Sequence, residues 1–274
     1  SFFKLFFTAA IVQQLCEFTN NYAEEHIINY QTYQNSAAGW NKVSVEEMYN
    51  FIALLVYMGF VQLQRQENYW SASTLYIGNW ARSLIPSRIR FRALLAFFRC
   101  SDHTQMDAKN KLRQVDTLVE AIHSKCMELY QFDVDVAVDE RMVKSKHRSG
   151  MHQYNKDNPT KFGIKIRVLT ESKNDYSYNV DVNQGKHRTD VSGNGLGYDV
   201  VMQLTEPLRN QGYHVYMDNF YTSPPLLSEL KRLGLLGCGT TAANRRFYPK
   251  EMKTGHLGEK HTKRRPTWAK ACCR

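Results

Sequence analysis

The chain has 274 residues, enough for one large domain or two ordinary ones with substantial cores. Its hydrophobic content of 43% and charged content of 23% are those of an ordinary globular protein, and its longest apolar run, residues 51–60, is too short to span a membrane. The net charge of +10 indicates an acidic partner, and DNA is the first hypothesis.

The first half of the chain has the apolar periodicity of helices. A stripe of apolar residues at helical spacing begins at Phe3 and runs to Phe18. The order Ser-Val-Glu-Glu at 44–47 is a capping box and predicts the start of a second helix. Two more helices are predicted over residues 89–98 and 115–130. Four arginines lie in or beside the third helix, at residues 88, 90, 92 and 99. A solvated helix face is a better explanation of them than a phosphate-binding face.

The pattern changes to strands after Phe132. Residues 134–138 predict a buried strand, and alternation over 162–168 and 176–182 predicts an antiparallel hairpin. Pro207 should shorten or kink the helix that follows. The remaining predicted elements are that helix at 200–208, a buried strand at 213–217, a helix at 225–233 and a short strand at 235–240.

Two aspartates stand at the predicted carboxyl ends of the buried strands. Asp139 follows the first of these strands and Asp218 follows the second. Ligands of open α/β sheets bind outside the carboxyl ends of the strands, and a strand-helix-strand crossover makes strands parallel. If the two strands are neighbours, both carboxylates lie at one edge and suit Mg²⁺ or Mn²⁺. The order of elements permits this arrangement without establishing it. For each acid alone, an ordinary strand-end residue is favoured over a metal ligand.

Most of the net positive charge lies near the C-terminus. Residues 244–274 contain ten lysines and arginines and two glutamates, a net charge of +8. A solvated, disordered tail and a phosphate-binding surface explain this equally well. With a DNA substrate, the basic cluster at 263–265 predicts localisation in the nucleus. The six cysteines and nine histidines show no ligand spacing. We interpret the cysteines as core thiols with a terminal pair, and the histidines as structural or exposed residues.

A set of motifs in one order resembles the piggyBac transposases and their domesticated relatives over roughly residues 1–250. The motifs are Asp-Glu-Arg-Met at 139–142, Gln-Tyr at 153–154, Asn-Pro-Thr-Lys-Phe-Gly-Ile-Lys at 158–165, Gly-Leu-Gly-Tyr at 195–198, Asp-Asn-Phe-Tyr-Thr-Ser-Pro-Pro at 218–225 and Gly-Cys-Gly-Thr at 237–240. None of them is convincing alone, but their common order makes the resemblance specific.

The resemblance implies an α/β fold, an RNase H-like mixed sheet that is partial and lacks its C-terminal part, preceded by an all-helical domain. The expected division is a helical DNA-binding-like domain at 1–131, the incomplete catalytic core at 132–250 and a basic, disordered tail at 251–274. Three aspartates of this family hold two Mg²⁺ ions for DNA cleavage and strand transfer. By position, Asp139 corresponds to the first catalytic and metal-binding aspartate and Asp218 to the second.

The resemblance also implies double-stranded DNA as the partner, at transposon ends and a TTAA target, and it allows a homodimer but no membrane association. Basic residues at family positions that contact DNA phosphates are Lys146, Arg148, Lys161, Arg245 and Arg246. For each of them alone, a solvated surface charge is an equal alternative.

The chain departs from the family pattern after Asp218. The acids that follow are Glu229, Glu251 and Glu259, and none matches the third aspartate of the family. Three hypotheses therefore stand: a transposase-family protein whose DNA cleavage and strand transfer is impaired, a catalytically inactive domesticated module that still binds DNA, and a decayed fragment that folds incompletely.

Overall fold

A computed structural model describes residues 2–34, 39–73, 80–104, 107, 110–146, 149–156, 159–185, 192–245 and 247–248. The chain divides into two compact units, Ser1–Lys125 and Cys126–Arg274. The predicted tail at 251–274 lies outside the described residues, as does the basic cluster within it.

The first unit is built from helices. They are α1 (Phe3–Phe6), α2 (Ala9–His26), α3 (Gln31–Gln34), α4 (Val45–Phe60), α5 (Trp80–Leu84), α6 (Arg88–Phe97) and the start of α7 (Asp116–Leu129), with short 3₁₀ turns at Ile27–Asn29 and Gln66–Trp70. The stripe that begins at Phe3 is divided between α1 and α2. The division falls at Thr8, whose extended backbone starts α2 and whose hydroxyl accepts a hydrogen bond from the Ile11 amide at 3.4 Å.

The predicted capping box at the start of α4 is half formed. Ser44 Oγ accepts a hydrogen bond from the Glu47 amide at 3.2 Å, as the pattern predicts. The Glu47 carboxylate instead accepts from Arg90 of α6, with Nε at 2.6 Å and Nη2 at 2.5 Å. Arg90 is only 8% exposed, so the expectation of a solvated arginine face is wrong at this residue.

The core of the first unit lies between α2, α4 and α6. Their apolar stripes bury large side chains, including Leu15, Met48, Phe51, Phe91 and Leu94. Burial of a side chain of this size contributes about 1.5–3 kcal/mol, so this shared core rather than helix propensity stabilises the unit.

The second unit is a mixed sheet with helices. Its elements after α7 are β1 (Asp135–Lys144), β2 (His152–Tyr154), β3 (Phe162–Glu171), β4 (Ser177–Val182), α8 (Leu196–Leu204), a 3₁₀ turn (Glu206–Leu208), β5 (His214–Met217), α9 (Pro224–Arg232) and β6 (Leu236–Gly239). The predicted order is confirmed, with the short strand β2 in addition. Pro207 lies in the 3₁₀ turn, and α8 ends before it, as expected.

The strand order is β2-β3-β1-β5-β6, with β4 also paired to β3. Strands β1, β2 and β4 are antiparallel to β3, which confirms the predicted β3–β4 hairpin. Strand β5 is parallel to both β1 and β6. The two strands that precede the aspartates are therefore neighbours.

Strand β1 corrects one expectation about Asp139. The sequence predicts that the strand ends just before this residue, but β1 continues to Lys144. The charged residues after Asp139 stay extended because β3 pairs with them, up to the pair Lys144 and Gly163. Asp139 therefore lies in mid-strand, at the point where the parallel partner β5 stops.

The core of the second unit packs one face of the sheet against α8 and α9. Val136 and Val138 of β1 and Val215 and Met217 of β5 are buried in one cluster with the apolar residues of both helices, Val200, Val201, Leu204, Leu226 and Leu230. Within the described residues, no helix has the length and apolarity needed to cross a bilayer.

Candidate functional site

Asp139 and Asp218 lie at the same level of two adjacent parallel strands. Val138 of β1 is the register partner of Met217 of β5. Asp139 is the next residue of β1, and Asp218 is the first residue after β5. Paired residues of parallel strands share a face of the sheet, and the following residues share the opposite face. Both aspartates are exposed. The structure thus brings together the two acids that the sequence singles out.

The backbone holds one oxygen of each carboxylate. Asp139 Oδ1 accepts a hydrogen bond from the Glu140 amide at 2.7 Å. Asp218 Oδ1 accepts from the amides of Phe220 at 2.9 Å and Tyr221 at 3.3 Å, which closes a turn after β5. In the part of the chain that the structure describes, the hydrogen bonds of both carboxylates use Oδ1, so each Oδ2 remains to bind a cation.

A buried tyrosine lies beside these acids. Tyr221 is 2% exposed, and its hydroxyl donates to Glu140 Oε2 at 3.5 Å. Burial raises the pKa of Tyr221 well above its usual value, and the negative charges of Glu140, Asp218 and Asp139 raise it further. The same three carboxylates therefore act on one hydroxyl.

Glu140 is paired with a lysine. Its carboxylate forms an ion pair with Lys165 of β3, and Lys165 Nζ lies 5.4 Å from the centre of the Phe220 ring. This contact links β1, β3 and the loop after Asp218. Sequence reasoning missed the link, because Lys165 resembles any other exposed position of an alternating strand.

The loop after Asp218 is held by close backbone packing. Thr222 Oγ1 donates to the Asp218 carbonyl at 2.7 Å. A Cβ at Gly239 of β6 would lie 2.2 Å from Thr222 Oγ1 and 2.5 Å from the Met217 carbonyl oxygen. A Cβ at Gly197 of α8 would lie 2.9 Å from the Phe220 carbonyl oxygen. Glycine at both positions allows α8 and β6 to approach the loop.

Arg245 also holds this loop. Its Nη2 donates to the carbonyl oxygens of Asn219 at 2.7 Å and Phe220 at 2.5 Å. The sequence predicts a phosphate contact for Arg245, and that contact stays a prediction. The structure adds a positioning role that local sequence could not indicate, because the partners lie 25 and 26 residues away.

A pocket of about 340 Å³ opens beside the same loop. Its walls include the start of α8 at Gly195 and Tyr198, the loop residue Phe220, and Arg245 with Phe247. Phe220 is 40% exposed, whereas Tyr221 is a core residue, so only the first of these aromatics offers a ring to a ligand.

The other predicted DNA-binding residues are distributed around the sheet. Lys146 follows β1 and Lys161 precedes β3, and both are exposed. Arg148 and Arg246 lie outside the described residues. Glu229 of α9 pairs with Arg232 at 2.5 Å, and hydrogen bonding to this arginine lowers the pKa of Glu229. Glu229 thus has a local structural partner.

The chemistry of the donors fits a hard divalent cation, since two exposed carboxylates supply oxygen ligands. They do not form a complete cage. Among the described residues, the only group of three candidate ligands with mutually close donor atoms is elsewhere, at Glu25, His26 and His103.

The comparison with known families decides the relationship. A family model described as Transposase IS4 matches residues 1–268. The chain is a piggyBac-type member of this transposase family. Members of the DDE transposase family generally use divalent metal, which agrees with the donor set at Asp139 and Asp218.

Two human relatives support this assignment. The chain is 26% identical to PiggyBac transposable element-derived protein 3 over 194 residues, which cover 69% of this chain and 32% of the relative. It is 24% identical to PiggyBac transposable element-derived protein 2 over 266 residues, which cover 92% of this chain and 42% of the relative. The chain thus spans less than half of the length of each of these relatives.

A solved structure has the same fold. The cryo-EM structure of the piggyBac transposase synaptic complex with hairpin DNA superposes on this chain with a TM-score of 0.77 and 25% identity, covering 93% of this chain and 53% of the other. This similarity confirms the predicted RNase H-like mixed α/β fold of the transposase-family chain.

Proposed function

We propose that this transposase-family chain carries a metal-dependent site for phosphodiester chemistry on DNA, with Asp139 and Asp218 as its metal-binding and catalytic carboxylates. The observation that carries the proposal is the register of β1 and β5, which places both acids at one level of the sheet. Mg²⁺ or Mn²⁺ bound there would neutralise charge at phosphorus and lower the pKa of an attacking hydroxyl group.

The surrounding residues would position these carboxylates. The Phe220 and Tyr221 amides fix the orientation of Asp218, and the Glu140–Lys165 pair fixes β1 against β3. Preorganised ligands of this kind need no rearrangement during the reaction. The absence of this reorganisation cost is a main source of electrostatic catalysis. The positioning residues would act through the two aspartates and would not touch the reacting atoms.

DNA is the proposed substrate and partner. The chain has a net charge of +10. Lys146 after β1, the strand of Asp139, and Lys161 before its partner β3 present exposed charge. Lysines at such positions bind phosphates and release counterions. The structural neighbour was solved with hairpin DNA, which supports the same class of ligand here. Arg148, Arg245 and Arg246 complete the proposed DNA-binding set, and action on DNA implies a nuclear location.

A second candidate function is DNA binding without cleavage. The observation that favours it is Glu229, which is the only acid after Asp218 among the described residues and is paired with Arg232. Two carboxylates bind metal more weakly than three, so the 274-residue chain tested alone should cleave DNA weakly. The two candidates share the DNA-binding surface and differ in the need for Asp139.

A nicking assay distinguishes the candidates. The 274-residue chain is incubated with labelled duplex DNA and increasing Mn²⁺, beside its Asp139→Asn and Asp218→Asn variants. The matched control is Asp135→Asn, which changes the same strand at a residue that pairs with His214 at 2.9 Å. The proposal expects weak nicking that both site variants lose and the control keeps.

Two other outcomes decide against the proposal. Nicking that persists in Asp139→Asn would remove Asp139 from the chemistry. DNA binding with steep salt dependence but no nicking at any Mn²⁺ concentration would establish the binding module instead.

A further inference from the structure

A second group of potential metal ligands lies in the helical unit. Glu25 and His26 end helix α2, and His103 lies in the segment after α6. One donor atom from each residue can be chosen so that all three lie within 4.8 Å of one another. These residues take no part in the proposed DNA chemistry, and the separation of 77 residues from His26 to His103 explains why spacing did not reveal them.

The two histidines are oriented by their neighbours. His26 Nδ1 lies 3.0 Å from the Tyr22 carbonyl oxygen, which can only accept a hydrogen bond. In the neutral ring, Nδ1 therefore carries the proton and Nε2 carries the lone pair. A carbonyl that fixes the tautomer in this way is the usual support of a metal-binding histidine. The Tyr22 ring also stacks on His26, with ring centres 4.0 Å apart.

His103 is held against the same group. Its Nε2 lies 2.7 Å from Glu25 Oε2, and its side chain is only 15% exposed. The ring meets Tyr22 edge to face, with centres 5.2 Å apart. The His103 ring and the Glu25 carboxylate are therefore in direct contact.

Adjacent helical residues normally point apart, so the pairing of Glu25 with His26 needs a reason. His26 is the last residue of α2, and its φ of −111° departs from the helical value. Ligands of one tetrahedral zinc ion lie about 3.3 Å apart, given bonds of about 2.0–2.1 Å. The Glu25 side chain is 54% exposed, which gives it freedom to adjust to this spacing from donor separations of up to 4.8 Å.

We propose that Glu25, His26 and His103 form a zinc-binding site that joins the end of α2 to the segment after α6. Two imidazoles and one carboxylate select a borderline ion such as Zn²⁺ over Mg²⁺, which prefers oxygen ligands alone. Water fills the fourth position. Because the ligands come from two segments that only the folded chain brings together, the ion stabilises the folded state.

Arg99 contacts this cluster through the Tyr22 ring. The Arg99 guanidinium lies 3.4 Å from the centre of the Tyr22 ring and donates to the Phe98 carbonyl at 2.7 Å. It therefore interacts with the outer residue of the stack, while the Glu25 carboxylate supplies the negative charge next to the two imidazoles.

Calorimetric titration with ZnCl₂ tests the proposal. The full chain should carry Asp218→Asn, Cys272→Ser and Cys273→Ser, which remove competing carboxylate and thiolate ligands. In this background we expect one zinc ion to bind. Its affinity should fall at least about tenfold in His26→Ala and in His103→Ala, because mutation of residues that only support metal ligands already lowers metal affinity by that factor. The matched control is His152→Ala in strand β2, whose affinity should be unchanged.

Thermal unfolding gives a second readout. Zn²⁺ should raise the melting temperature of the background chain and of the His152→Ala control, but not that of His103→Ala. If the alanine variants unfold, Glu25→Gln changes an exposed side chain of equal size and should still weaken zinc binding. Zinc affinity that is equal in the background, His26→Ala and His103→Ala would overturn the proposal, as would absence of zinc binding in the folded background chain.

Discussion

Asp139 and Asp218 each follow one member of a register pair, Val138 and Met217, on adjacent parallel strands. This relationship gives the transposase-family chain its candidate site, because it places two exposed carboxylates at the level where β5 ends and β1 continues. The residues around them restrain the strands and the loop that carry these acids.

The variants Arg245→Ala and Lys146→Ala should differ in Mn²⁺ binding, although each removes one positive charge. Either change to alanine should weaken DNA binding and reduce the salt slope of the affinity by about one. Only Arg245→Ala should also weaken Mn²⁺ binding, because Arg245 donates to the carbonyls of the loop that follows Asp218. Salt-dependent fluorescence anisotropy and Mn²⁺ titration measure the two effects. Equal Mn²⁺ affinity in both variants would remove the positioning role of Arg245.

Gly239→Ala should destabilise the chain, because the new Cβ would overlap Thr222 Oγ1 and the Met217 carbonyl. We expect a loss of about 1–3 kcal/mol in the free energy of unfolding, as for other overpacked positions. The control is Gly59→Ala in α4, where nothing lies within 4 Å of the new Cβ. It should stabilise by about 0.5–1 kcal/mol. Urea unfolding that ranks the two variants the other way would contradict the packing.

Arg90→Met should destabilise the helical unit through the loss of its pair with Glu47. We expect about 2–4 kcal/mol, near the lower part of the range for buried pairs, since the Glu47 side chain keeps 28% exposure. The matched change Arg88→Met removes an exposed pair with Glu67 and should cost about 0–1 kcal/mol. Urea unfolding of both variants measures the difference, and equal losses would show that burial adds nothing to the Arg90 pair.

Glu171 should make the second unit sensitive to acid. A hydrogen bond from the Tyr130 hydroxyl, with a further one from the Asp133 amide, holds the pKa of this carboxyl below its usual range. The resulting stabilisation is present above the unfolded-state pKa of about 4.3 and is lost as pH falls through the lower folded-state pKa. Tyr130→Phe should therefore lower stability at pH 7 and make it fall less steeply in acid.

Urea unfolding between neutral and acid pH checks the prediction for Glu171. The control is Tyr154→Phe, on the exposed ring of β2, which should keep the slope of the wild-type chain. An unchanged acid slope in Tyr130→Phe would show that this hydroxyl does not set the pKa of Glu171.

The sequence predicted which helices and strands form better than it predicted how the strands pair. Helices at Ser44 and Ser87 begin where hydroxyl caps occur, since a cap is a local signal. The extension of β1 past Asp139 could not be predicted, because its charged residues are strand residues only through pairing with β3. The adjacency of β1 and β5 was permitted by the order of elements but fixed only by the sheet.

The candidate site was predictable only in part for the same reason. Asp139 and Asp218 are marked by the apolar strands that precede them and by the family motifs. The contacts of Arg245 and Lys165, and the pair of Glu47 with Arg90, join residues 25 or more positions apart. Long side chains of this type look solvated in a sequence, and tertiary packing alone decides which of them are held in place.

A Mn²⁺ titration of a double-mutant cycle tests the central claim most directly. Free Mn²⁺ is followed by electron paramagnetic resonance in the wild-type chain, Asp139→Asn, Asp218→Asn and the double variant, with Asp135→Asn as control. If the two acids share one ion, each single change weakens binding at least about tenfold, and the double change adds little to either. Unchanged affinity in either single variant, or losses that simply add, would contradict a shared metal between Asp139 and Asp218.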